Sequence, residues 1–168
     1  MIHPLVTQLQ FARGEFVRCF EKVPPEDACR RVQPMNCLSW TVGHLAWQEH
    51  FLWVRLAQGR DIAPGLGQLV GFRQPASTPD WDEMWKVWHT VTKAADAYLD
   101  GLKPEDLLTD LVWKGKPLPE KVGILLLRNT FHYWFHIGKA HSIRQMLGHA
   151  DLPEYVGDMR EVRFGLDQ

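Results

Sequence analysis

Ile124-Leu125-Leu126-Leu127-Arg128-Asn129-Thr130-Phe131-His132-Tyr133-Trp134-Phe135-His136 is an apolar run that carries two histidines four residues apart. An α-helix turns once in about 3.6 residues, so side chains four apart share one face. His132 and His136 therefore project side by side, and Phe131, Trp134 and Phe135 mark a setting that is not freely solvated. A buried imidazole needs a partner for each ring nitrogen. A divalent cation on one nitrogen and an acceptor on the other meets that need. A second stretch, Ser39-Trp40-Thr41-Val42-Gly43-His44-Leu45-Ala46-Trp47, offers a third histidine among apolar neighbours. Three neutral imidazoles converging inside a helical bundle make an open metal site.

The rest of the chain reads as the bundle that such a site needs. Leu5, Leu9, Ala12, Phe16 and Phe20 recur at helical spacing and predict a first helix from Pro4 to Glu21. Ser39 is read as the N-cap of a second helix that runs to Gln58, with Gly59 as its terminator. Asp61 to Thr78 carries Pro64, Gly65, Gly67, Gly71 and Pro75 and reads as a long loop. A third helix begins near Pro79-Asp80, with Ser77 or Thr78 as cap, and ends near Asp100-Gly101. Trp81, Trp85 and Trp88 lie along one of its faces. The fourth spans Glu120 to Leu147 and stops at Gly148, after a brief extended piece around Val112 to Lys116. Four long helices with few strand signals predict an all-α four-helix bundle with long connecting loops, one domain over 1–168.

Composition excludes several classes. Hydrophobic residues make up 45% and charged residues 23%, as in an ordinary globular protein. The net charge of -1, without long runs of Lys or Arg, argues against a nucleic-acid surface. No stretch is apolar enough to cross a membrane, and the first residues lack a basic region before an apolar run. Cys19, Cys29 and Cys37 show no C-x-x-C spacing, so a reducing cytoplasm is expected. There is no G-x-S-x-G and no phosphate loop.

The remaining histidines fit less well. His50 lies six residues after His44, about 120° around the helix, and His141 points away from the His132–His136 face. His3, His89 and His149 read as structural or solvated. Gln48, four after His44, shares its face and is a candidate to bind substrate through a hydrogen bond. Glu49 is a proton-transfer candidate that points about 140° away.

The stretch Ser39 to Ala46 resembles the second-helix signature of the DinB-like superfamily of metal-binding bundles. His132-Tyr133-Trp134-Phe135-His136-Ile137-Gly138-Lys139 resembles its last long helix, and Pro25-Glu26-Asp27 and Pro104-Glu105-Asp106 sit where the family places short acidic turns. The resemblance covers about residues 3 to 150. It implies an up-down-down-up bundle, the ligand set His44, His132 and His136, and activity with low-molecular-weight thiols, as in thiol-dependent transferases and isomerases. Zinc or nickel is the expected metal. Lys139 stands where many members have Gln, and Tyr133 and Trp134 replace commoner polar residues. Lys139 and Arg128, at +3 from His136 and -4 from His132, become candidates to attract an anionic small-molecule substrate. The tryptophan face and the resemblance together suggest a homodimer. Two readings stand: a metal-dependent thiol transferase or hydrolase, or a non-catalytic metal-binding homodimer.

Overall fold

Pro4 opens the first helix because a proline at the first turn loses no intrahelical hydrogen bond. That helix, α1, runs Pro4–Cys19, and His3 caps it through Nδ1, which accepts from the Leu5 amide at 3.2 Å. The computed structural model describes residues 2–154 and 156–161. A short helix α2, Pro25–Cys29, follows the Pro24-Pro25 break. Helix α3, Leu38–Glu49, is capped by Cys37, whose Sγ accepts from the Trp40 amide, so the start falls just before the expected Ser39. Ser39 instead donates its hydroxyl to the Pro79 carbonyl.

Past Glu49 the helix widens into a π-helical segment, His50–Leu56, before Gly59 ends it at φ 68. A π segment breaks the regular i to i−4 ladder. Here Gln58 helps to repair it, donating through Nε2 to the carbonyls of Trp53 and Ala94 at 2.7 and 2.8 Å. The widened turn carries Trp53 into the core, where its indole donates to Asn129 Oδ1 at 2.6 Å.

The expected loop Asp61 to Thr78 contains a short helix α4, Leu66–Val70. Helix α5, Trp81–Leu99, takes its cap from Asp80, which accepts from the Glu83 amide, rather than from Ser77 or Thr78. The extended piece is a two-stranded antiparallel hairpin, β1 Asp110–Trp113 and β2 Lys116–Lys121, with Trp113 opposite Lys116. Lys114 and Gly115 both have positive φ, as a tight two-residue hairpin turn demands. The long helix α6, Val122–Met146, starts two residues later than the sequence suggests because β2 extends to Lys121. Leu147 caps it and Gly148 (φ 86) follows.

The fold is therefore an all-α bundle of four long helices with one small hairpin. Helix α1 packs on α6, and α3 packs on both α5 and α6. Among the described residues no helix is long and apolar enough to cross a membrane.

The tryptophan face of α5 points inward. Trp81 and Trp88 are buried, and Trp85 packs between them and Phe16 of α1 and Phe20, the C-cap of α1. Amphipathic periodicity marks a buried stripe without naming what covers it. Here α1 covers it, so the case for a dimer built through these rings loses its structural basis.

Candidate metal centre

His44 sits mid-α3, and the residue before it explains its placement. A Cβ on Gly43 would lie 2.5 Å from Met84 Sδ and 3.2 Å from a Val70 methyl. The bare glycine lets α4 and α5 close against α3 at this point. The Val70 carbonyl, at the end of α4, then comes within 2.8 Å of His44 Nδ1. A carbonyl can only accept, so Nδ1 carries the proton and Nε2 is left with its lone pair. Trp40 stacks on the same ring at 4.4 Å between centroids and fixes its plane.

His132 is set in the same manner by a side chain. Gln48 Oε1 accepts from its Nδ1 and also from Asn129 Nδ2 at 3.2 Å. His132 Nε2 is thereby freed, and it lies 3.0 Å from His136 Nε2. The ring centroids of the three histidines are 4.6 to 5.2 Å apart. Their ligand atoms all lie within 4.8 Å of one another. The two anchored rings thus present Nε2, the third turns its own Nε2 toward His132, and the outer partners are a carbonyl and an amide oxygen. That is how proteins orient histidines on a metal.

His136 is different, since its Nδ1 is buried and has no hydrogen-bond partner. A buried polar atom without a partner is a cost that native proteins rarely carry without a reason. The three rings also stay neutral. Burial lowers the His44 pKa. Burial, then His44 and Arg128, lowers that of His132 to about 4; burial, then His132, His44 and Lys139, takes His136 to about 2. Neutral imidazoles with aligned lone pairs are the donors that a divalent cation of borderline softness takes. The residues present fit such a cation, and the cluster could hold a metal ion.

The lowered pKa values predict an acid-labile fold for the metal-free protein. An unfolded histidine takes a proton below about pH 6.5, whereas the folded rings resist it down to about 4 and about 2. The unfolded state therefore binds more protons in that window, and stability falls as pH falls below about 6.5. At pH 5 the loss is about 2 kcal/mol for each of His132 and His136, at about 1.4 kcal/mol per pH unit. Urea midpoints at pH 7.5 and pH 5 check this, and a His136→Leu variant should lose less than the parent.

A cavity of about 810 Å³ opens beside the cluster, lined by His44 and His132 as well as Gln48 and Arg128. Arg128 forms a bidentate pair with Glu120 at the surface. Lys139 does not line this cavity; its ammonium stands 5.3 Å over the Phe135 ring. Trp47 forms part of the wall, and Trp134 lines a separate cavity with Cys19 and His141.

The other histidines have duties of their own. His50 Nε2 accepts from the Ile62 amide at 3.1 Å, and His149 pairs with Asp27 at 3.0 Å. Glu49, buried on the far side of α3, accepts from Arg13 and from the Tyr133 hydroxyl. The supporting carbonyl of Val70 had no legible signal, because it belongs to backbone in a segment that reads as loop.

A family model described as the DinB superfamily matches residues 8–140, a span that contains all three histidines. No curated protein matches the chain. On the extent of that match, the chain belongs to the DinB superfamily.

Proposed function

We propose that this member of the DinB superfamily is a divalent-metal enzyme that activates a low-molecular-weight thiol or water at His44, His132 and His136. The observation that supports this reading is the open donor set. Structural zinc sites are closed by four protein ligands. Here the cluster comprises three histidines, and two of them also line the 810 Å³ cavity. Zinc and nickel both suit imidazole. A cation held there would polarise a bound group and lower the pKa of a thiol or water, the chemistry of a transferase or a hydrolase.

The chain's own residues prepare that chemistry. Val70 and Gln48 hold the Nδ1 protons of His44 and His132 and so direct both lone pairs inward. Gln48 therefore acts on substrate through His132, since its carbonyl oxygen is engaged there. Arg128 is the cavity's cation, and an anionic group on the substrate would compete with Glu120 for it. Exposed ion pairs contribute about 0–1 kcal/mol, so this exchange is inexpensive. Lys139, parked over Phe135, contributes positive potential near His44 and His136 rather than a contact in the cavity.

One observation favours the non-catalytic alternative: among the described residues, no carboxylate or cysteine lines the cavity to move a proton. The homodimer stays in the proposal on the family resemblance alone. Metal analysis of untagged protein, followed by calorimetry with cellular thiols, separates the readings. We expect about one divalent ion per chain and metal-dependent thiol binding. Gln48→Leu should weaken metal affinity by about 10- to 100-fold through the loss of its hydrogen bond to His132. Bound metal with neither thiol binding nor turnover leaves the non-catalytic reading standing.

A further inference from the structure

We infer that the cavity beside the histidines accepts a bulky apolar molecule, aromatic or alkyl, bearing one anionic group. This deepens the function proposed above and rests on it for the position of the reacting end. The walls carry the argument. Trp47 and Phe51 come from the second long helix, Ile124, Leu127 and Phe131 from α6, and Phe72 from the segment after α4. Phe72 and Phe131 are 68% and 64% exposed, and Ile124 is 50% exposed. Large apolar side chains left open around a concave site mark a binding surface.

The polar groups of the wall are few, and most are engaged. Gln48 Oε1 serves His132 and Asn129, and His44 Nδ1 serves Val70. A small polar thiol would leave most of the 810 Å³ unfilled, and its amides and carboxylates would lie against rings that offer them no hydrogen bond. The body of the cavity therefore suits the other reactant, one with an apolar frame. Arg128 lies one helical turn before His132 and sets the place for a single anionic group close to the histidines.

Fluorescence titration of the metal-loaded full chain with a dansyl-labelled undecanoic acid tests this, with metal content measured on the same samples. We expect saturable binding that decanoic acid displaces and glutarate does not. Phe131→Asp should weaken binding by at least about tenfold, which corresponds to about 1.4 kcal/mol of lost apolar contact. Phe72→Asp, on a different segment, should do the same. Both rings are exposed, so circular dichroism of both variants should match the parent. Arg128→Ala should weaken decanoic acid while leaving decanol unchanged. Equal probe binding by the parent and both Asp variants would overturn the inference. So would a metal-loaded chain that ignores the probe, although the metal reading would survive that result. Probe binding by a chain that takes up no metal would support the apolar site and sink the metal reading instead. Light scattering that shows a dimer, split by Phe131→Asp and blind to the probe, would assign this face to a second copy and also overturn it.

Discussion

His136→Ala should abolish stoichiometric metal binding, and His141→Ala, five residues away on the same helix, should leave it intact. His136 turns Nε2 toward His132 Nε2 at 3.0 Å, whereas His141 lines a separate cavity with Cys19 and Trp134. Deleting a ligand should cost more than the roughly 10- to 100-fold that follows loss of a supporting hydrogen bond. Thermal melts give an independent reading. A cation at about 1,000 times its Kd stabilises the folded state by about 4 kcal/mol. The parent and His141→Ala should therefore melt higher when zinc or nickel is added, and His136→Ala should not. The metal-free state carries a further signature. His136 Nδ1 is buried without a partner, so replacing the ring by Leu removes a desolvated polar atom. Metal-free His136→Leu should be at least as stable as the metal-free parent. Equal loss of metal from His136→Ala and His141→Ala would refute the assigned helix face.

The histidine cluster is legible in the sequence because helical geometry is local. Four residues place His132 and His136 on one face whatever the rest of the chain does, and an apolar frame around His44 marks a buried ring. The third dimension was less legible. Gln48 and His44 line the same cavity, yet the Gln48 oxygen reaches across to His132 on α6, a contact that no spacing encodes. The tryptophans of α5 form an amphipathic stripe, and a stripe is equally compatible with a core or an interface. Phe16 of α1 and Phe20, its C-cap, pack onto that stripe within the same chain, a contact that the spacing of the tryptophans does not encode. The π-helical segment leans on Gln58, whose amide reaches the Trp53 carbonyl on its own helix and the Ala94 carbonyl on α5, and the second contact is not encoded in local spacing. Pattern reading therefore finds the long helices and the histidine cluster, and misses what holds the rings in place.

Glu49→Gln should destabilise the fold by about 3–5 kcal/mol while sparing the metal site. Glu49 is fully buried and is held by Arg13, whose Nε donates at 2.8 Å and whose Nη2 forms the second half of the pair. Tyr133 donates its hydroxyl to the same carboxylate at 2.6 Å and accepts from the Trp88 indole at 2.9 Å. Burial, then the Glu49 charge, raises the Tyr133 pKa well above its ordinary value, which keeps this hydroxyl a donor. Arg13 also reaches Asp96 on α5 at 2.5 Å, so one connected set of side chains ties α1, α3, α5 and α6 together. Removing one partner of a buried pair leaves the other charge uncompensated, and the cost is of the order stated. Asp96 is partly exposed and cannot replace the bidentate carboxylate. Replacing both partners by apolar residues, Arg13→Met with Glu49→Leu, should recover a large part of the loss, because no charge is then left buried. Tyr133 would still lack its acceptor, so recovery should stay incomplete unless Tyr133→Phe is added. Urea unfolding of the four proteins measures each step, and metal content should stay near that of the parent throughout, since Glu49 faces away from the histidines. A Glu49→Gln variant as stable as the parent would show that the carboxylate is dispensable to the fold. Loss of metal without loss of stability would instead place Glu49 in the service of the site.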